Sequence, residues 1–76
     1  MQMFEKVKRI IEENINCEGV SLTPETELLT DLNINSLDLV ELVCAFEAAF
    51  EVEVPEKDIR RFAKVKDIVD YLESIE

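Results

Sequence analysis

The stretch SLDLVELVCAFEAAFE, residues 36–51, decides the fold class through its apolar spacing. Placed at about 100° per residue, as in an α-helix, its larger apolar side chains collect on one face about 120° wide, the width that a globular helix buries. These candidate core residues are Leu39, Leu42, Val43, Phe46, Ala49 and Phe50. The spacing therefore predicts a long helix over residues 36–51 with one face in the core.

The opposite face of this helix mixes carboxylates with apolar groups. It carries Ser36, Asp38, Glu41, Glu47 and Glu51 beside Leu37, Val40, Cys44 and Ala48. One interpretation is a small bundle that buries its central helix on all sides. The other is an acidic surface on which a basic partner docks. Periodicity alone does not separate the two.

The charge along the chain favours the docking interpretation. The 76 residues have 18 acidic and 8 basic side chains, a net charge of -10. All the bases lie within residues 6–9 and 57–66, so residues 10–56 hold twelve acids and no base. A field of one sign is expected where a basic partner is steered, although a surface kept soluble by its charge would look the same. Nucleic acids and anionic membranes are poor partners, because their phosphates would be repelled.

The rest of the chain also has helical spacing. Apolar residues three and four positions apart predict a first helix over about residues 3–15 and a last helix over about residues 65–75. Pro55 is suited to open a short helix over residues 56–61, where its missing N–H is not needed. Residues 16–35 form a long loop, and its apolar side chains are numerous enough to pack across the helices and order it. We expect the loop to contain a turn of helix after Pro24. The sequence predicts one all-α domain over residues 1–76.

Few residues offer metal or enzymatic chemistry. The chain has no His, and Cys17 and Cys44 lie 27 positions apart, so a zinc site or a redox pair has no support. Two reduced thiols in a cytosolic protein are the simpler interpretation. No nucleophile elbow, phosphate loop or paired carboxylates occur in a recognisable pattern. We therefore expect that the chain is not an enzyme.

A calcium loop and a membrane segment are also disfavoured. Asp31, Asn33 and Asn35 match the first ligand positions of a calcium-binding loop, but the required Gly and bidentate Glu fall on Ser36 and Leu42. The longest apolar run, residues 42–46, is too short for a signal sequence or a membrane span. We expect no metal site and no membrane association.

Ser36 begins the central helix. Asn35 and Ser36 are both residue types that cap helices, and Asp38 lies in the first turn. Capping is the usual role of a serine at this position. A phosphate on the Ser36 hydroxyl would lie near the positive end of the helix dipole, so the position also suits a phosphodiester.

The stretch DLNINSLDLVEL, residues 31–42, resembles the attachment motif of the acyl carrier proteins, in which the Ser before Leu receives 4'-phosphopantetheine. The likeness covers nearly the whole chain, including LTPETEL at 22–28, Phe50 with Val54 and Pro55 beyond it, and VDYL at 69–72. The resemblance implies a four-helix bundle with three longer helices, one short helix and a long first loop. It also implies a prosthetic arm, taken from coenzyme A, on Ser36, and an acyl chain held as a thioester and sheltered between the helices.

The resemblance further implies a partner-binding face, and the sequence departs from the family pattern at two positions. The face that would meet basic patches on a phosphopantetheinyl transferase and on fatty-acid synthesis enzymes consists of Leu37, Asp38, Val40, Glu41, Cys44 and Glu47. Asn33 stands where the family usually has Gly, and Asn enters the left-handed region more readily than most other residues. Asn35 stands where the family usually has Asp, which removes a negative charge beside the attachment point.

We therefore expect a discrete acyl carrier protein, monomeric and cytoplasmic, that delivers acyl intermediates to separate enzymes of fatty-acid biosynthesis. The absence of Gly-Gly before Ser36 argues against the peptidyl carriers of modular synthetases. Two alternatives stay open: a carrier for an aminoacyl, D-alanyl or polyketide intermediate, and an unmodified interaction module of the same fold.

Overall fold

The computed structural model describes residues 2–17 and 19–75, and over these residues the elements are four helices joined by a long loop and two shorter connections. The helices are α1 (Gln2–Asn14), α2 (Ser36–Phe50), α3 (Glu56–Ile59) and α4 (Val65–Ile75). The prediction of an all-α fold with three longer helices and one short one is confirmed. The bounds of α1 and α2 differ from the predicted ones by one residue, and α3 ends two residues earlier than predicted.

The core lies where α1, α2 and α4 meet. Its helical side chains are Met3, Val7 and Ile11 of α1, Leu39, Leu42, Val43 and Phe46 of α2, Ile59 of α3, and Val65, Ile68, Val69 and Leu72 of α4. The predicted core face of α2 is wrong at Ala49, which is exposed, and Phe50 is only half-buried. The reason is that this end of α2 borders an open groove whose other wall is the charged side of α1 at Glu5, Lys6 and Arg9.

The long loop between α1 and α2 is packed against the helices, as predicted, and it is also bonded to the start of α4, which was not predicted. Leu22, Leu28 and Leu32 are buried in the core. The backbone N–H of Leu28 donates to the carbonyl of Ala63 at 2.9 Å, and Val65 N–H donates to the carbonyl of Thr26 at 3.0 Å. The loop is therefore joined to α4 through its backbone as well as its side chains.

The turn of helix expected after Pro24 forms a few residues later, where Asp31 N–H donates to the Glu27 carbonyl at 3.0 Å, and it does not extend into a helix. A helix that began at Pro24 itself would need Leu28 N–H to donate to the Pro24 carbonyl, four residues back. Instead, that carbonyl accepts from Lys66 N–H at 2.9 Å and Leu28 N–H bonds to Ala63, so both groups are taken by the segment that leads into α4. Hydrogen-bonded turns occupy residues 24–25 and 28–33 instead.

The connection from α2 to α3 is fixed by a reversal at Glu51. This residue adopts a left-handed conformation with φ 55°, and its N–H donates to the Glu47 carbonyl. A left-handed residue commonly ends a helix, because it turns the chain and satisfies a free carbonyl. After the reversal Val54 is buried and α3 follows Pro55, so α3 lies beside α2.

Among the helices of residues 2–17 and 19–75, none combines the length and the apolar content that a bilayer crossing needs.

Candidate functional site at the N-terminus of α2

Asn35 caps α2. Its side-chain oxygen Oδ1 accepts a hydrogen bond from Asp38 N–H at 2.8 Å, and its own N–H donates to Asp38 Oδ2 at 3.3 Å. These reciprocal bonds form a capping box, which fixes the point where the loop becomes a helix. The two capping candidates in the sequence are thereby resolved, because Asn35 and not Ser36 is the cap.

Ser36 is the first residue of α2 and is exposed. With the capping role taken by Asn35, the Ser36 hydroxyl makes no hydrogen bond to any residue that the structure describes. The helix dipole and the first-turn amides favour a negatively charged group at this end. An exposed hydroxyl without a partner at this place fits a covalently attached phosphodiester.

Asn33 adopts φ 55°, in the left-handed region. Gly adopts this conformation without strain because it has no Cβ, and among residues with a side chain Asn and Asp adopt it most readily. The backbone N–H of Ile34 then donates to the Leu29 carbonyl at 3.2 Å. The left-handed conformation of Asn33 therefore forms part of the turn that precedes α2 and places Ser36 at the surface.

The face of α2 beyond Ser36 is open. Leu37 is 67% exposed and Val40 36% exposed, and Glu41 and Cys44 are exposed as well. The interpretation in which α2 is buried on all sides is therefore wrong. Leu37 and Val40 together place apolar side chains among the carboxylates, and apolar groups clustered at a surface within a polar rim mark a contact site.

Two carboxylates of this face also bond to the backbone of the chain itself. Asp38 belongs to the capping box, and Glu47 is half-buried, with Oε2 accepting from Val54 N–H at 2.7 Å. The sequence did not reveal the second bond, because it depends on the reversal at Glu51. Glu41, by contrast, makes no hydrogen bond or ion pair within the described ranges.

A cavity of about 380 Å³ opens beside Ser36, between α2 and α3. Its apolar lining consists of Leu29, Leu39, Val40, Ile59 and Phe62, and its polar lining of Ser36, Glu56 and Arg60. Sequence reasoning missed Leu29 and Arg60 as lining residues. No periodicity marks Leu29 within the loop, and nothing in the spacing of α3 indicates which of its charges turns toward α2.

The remaining reactive groups lie outside this cavity. Both cysteines are free thiols, and burial together with the nearby charge of Glu12 raises the pKa of Cys17. Within residues 2–17 and 19–75, no three Asp, Glu, His or Cys side chains lie close enough together to hold a metal ion.

Comparison with known proteins gives a consistent picture. Residues 5–72 match the family model described as a phosphopantetheine attachment site. The chain is 41% identical over 73 residues to a protein of Helicobacter pylori named acyl carrier protein, covering 96% of this chain and 94% of that one. It is 39% identical over 74 residues to the acyl carrier protein of Helicobacter hepaticus, covering 97% of each.

Proposed function

The chain belongs to the acyl carrier protein family, and on this premise we propose that it carries acyl groups as thioesters on a 4'-phosphopantetheine arm joined to Ser36. It is a carrier and not an enzyme, so its task is to bind a cargo and present it to enzymes. The single observation that carries the choice of site is the Ser36 hydroxyl, which is exposed at the start of α2 and is not used as the cap.

The neighbourhood of Ser36 suits this task. When attached, the arm supplies the thiol on which the acyl group is held. The cavity beside Ser36 offers Leu39, Val40 and Ile59 as apolar walls, and each methylene removed from water there is stabilised by about 0.8 kcal/mol. The chain can therefore shelter an acyl group close to its point of attachment.

The apolar lining also bears on the kind of cargo. An aminoacyl or D-alanyl group carries an ammonium charge, which loses hydration in an apolar cavity. A fatty acyl chain gains from the same lining, and Glu56 and Arg60 are the only ionisable side chains on that wall. We therefore favour fatty acyl cargo over the aminoacyl and D-alanyl alternatives.

The exposed face of α2 is proposed as the surface that meets partner enzymes. Leu37 and Val40 provide apolar contact, and the carboxylate of Glu41 provides attraction for basic patches. Asp38, Cys44 and Glu47 complete the proposed face. Contacts of this kind form fast and weaken with salt, which lets each synthase enzyme release the carrier after its step.

The proposed loading step uses coenzyme A and a phosphopantetheinyl transferase. The Ser36 oxygen forms a bond to the phosphorus that bears the pantetheine, and the bond from that phosphorus to the bridging oxygen of the coenzyme A pyrophosphate breaks. The hydroxyl proton passes to a base of the transferase, and adenosine 3',5'-bisphosphate leaves. Incubation of the purified chain with both reagents, followed by mass spectrometry, should show a gain of one arm. Ser36→Ala should abolish the gain and the exposed loop variant Ser21→Ala should keep it. A gain that survives Ser36→Ala, or no gain with several transferases, would refute the assignment.

The docking face has its own test. Glu41→Lys should slow loading or elongation at low salt without lowering the melting temperature, because Glu41 makes no bond within the described part of the fold. Glu73→Lys is the matched control, since Glu73 is an exposed carboxylate on α4, away from this face. Equal rates for the two variants at low salt would argue against a docking role for α2.

We propose further that residues 1–76 act as a single monomeric carrier domain in the cytoplasm, where reducing conditions would keep Cys17 and Cys44 as thiols. A sedimentation experiment on the loaded protein should give the mass of one chain. A stable dimer would contradict the monomeric state.

A further inference from the structure

The cavity beside Ser36 has one positively charged side chain on its wall. Ser36 reaches it from the start of α2, and Arg60 reaches it from the end of α3. The other ionisable lining residue is Glu56. Because residues 10–56 contain no base, a cation beside Ser36 has to come from another segment of the chain, and at this cavity Arg60 supplies it.

Arg60 is only weakly engaged without the arm. Its Nη2 lies 3.4 Å from Glu56 Oε2, and the two side chains are 78% and 75% exposed. An exposed ion pair four residues apart on one helix contributes little to stability, so its partners can be exchanged at low cost. Arg60 is thus available to a stronger anion in the same cavity.

We propose that Arg60 binds the phosphodiester that joins the arm to Ser36, replacing its contact with Glu56. This inference rests on the proposed function, because the phosphodiester exists only after loading. A guanidinium is the side chain best matched to phosphate oxygens, since it offers several N–H donors in a planar fork. The contact offsets the repulsion between the new negative charge and nearby carboxylates such as Asp38.

The consequence is a positioning role for Arg60. Ser36 and Arg60 lie on the wall of one cavity, so a phosphodiester held between them keeps the base of the arm at the cavity mouth. An arm held there is directed along the apolar lining between α2 and α3 and not into solvent. Arg60 therefore acts through the arm, without touching the thiol that bears the cargo.

Arg61 provides a matched control. It is also exposed, but it lines a different cavity, together with Asp58, Phe62, Asp67, Asp70 and Tyr71. Replacing either arginine with Gln lowers the net charge of the chain by the same amount. Any difference between Arg60→Gln and Arg61→Gln therefore reports position and not the overall electrostatic field.

The experiment measures the change in melting temperature when each protein is loaded, as the holo value minus the apo value at low salt. The change in melting temperature on loading should be smaller in Arg60→Gln than in the unsubstituted chain by about 1–8 °C, the range expected from typical exposed charge pairs in a domain of this size. Arg61→Gln should match the unsubstituted chain. Glu56→Gln should increase the change, because Arg60 loses its competing partner, and high salt should reduce all these differences.

A ³¹P NMR spectrum of each holo protein gives an independent measurement. The phosphodiester resonance should move in Arg60→Gln and stay in place in Arg61→Gln. Equal thermal changes and equal resonances in the two variants would overturn the role of Arg60 while leaving the carrier function intact. Failure of the unsubstituted chain to accept an arm on Ser36 would instead overturn the proposed function and this inference with it. The apo melting curves show that each variant folds.

Discussion

Asp67→Ala should destabilise the fold more than its position on the helix surface suggests. Asp67 Oδ2 accepts hydrogen bonds from the backbone N–H groups of Ala63 and Lys64, both at 2.9 Å. The carboxylate thereby caps the start of α4, and removing a side chain with this role lowers the free energy of unfolding by about 1–2 kcal/mol. For a domain of this size that corresponds to a fall of about 4–16 °C in melting temperature. The same segment holds the long loop through Ala63 and Val65, so the loss should also loosen the loop.

The effect should depend on pH, with a sign that follows from the pKa of Asp67. The backbone bond from Lys64, followed by the bond from Ala63 and the charges of Lys66 and Lys64, outweighs the opposing effect of burial and holds this pKa below its usual value. A lowered pKa in the folded state gives stability that is fully present above the unfolded value, about 3.9, and is lost as the pH falls through the folded value. The deficit of Asp67→Ala should therefore be complete at pH 7 and shrink below about pH 4.

Thermal unfolding followed by circular dichroism between pH 7 and pH 3 measures this deficit directly. Asp70→Ala is the control, because Asp70 is an exposed carboxylate on the same helix and gains the same helix propensity from Ala. The difference between the two variants cancels the general effect of protonating an acidic protein. Equal melting temperatures for both variants at pH 7 would refute the capping argument. A deficit of the same size at pH 3 would refute the part of it that depends on charge.

The other predictions concern the loop, the cap and the charge. Leu28→Ala should lower the free energy of unfolding by about 2–5 kcal/mol, because Leu28 is fully buried. Leu29→Ala, at a residue that is 41% exposed, should lower it by less than about 1 kcal/mol. Chemical denaturation of both variants measures these losses, and similar losses for the two would contradict the prediction. Asn35→Asp should keep the helix cap and should accept the arm on Ser36 roughly two- to fivefold faster at low salt, because it restores a negative charge beside the attachment point. An unchanged loading rate would show that this charge does not contribute to recognition by the transferase. Moderate salt should raise the melting temperature by screening the charge of -10; a melting curve indifferent to salt would oppose this.

The features that the sequence predicted well depend on neighbours along the chain. The buried stripe of α2 from Leu39 to Phe46 follows from a period of 3.6 residues, and the start of that helix follows from the capping residues before it. The left-handed turn at Asn33 was expected from the family pattern. Each of these signals is read within a few residues of the position concerned.

The features that the sequence did not predict depend on contacts between distant segments. The carbonyl of Pro24 is taken by Lys66 N–H, and no pattern within the loop indicates that partner. The placement of Arg60 and Leu29 on one cavity requires α3, α2 and the loop to be assembled first. Exposure of Ala49 likewise depends on which side of α1 meets the end of α2.

The hydrogen bonds of Asp38 and Glu47 have a consequence for the thermodynamics of partner binding. A long charged side chain normally loses rotamer entropy when an interface immobilises it, and this loss opposes association. Asp38 and Glu47 are already held by backbone amides, at Asn35 and Val54, before any partner arrives. A basic patch that meets these two carboxylates therefore encounters ordered charges, and the remaining loss of rotamer entropy falls on flexible side chains such as Glu41.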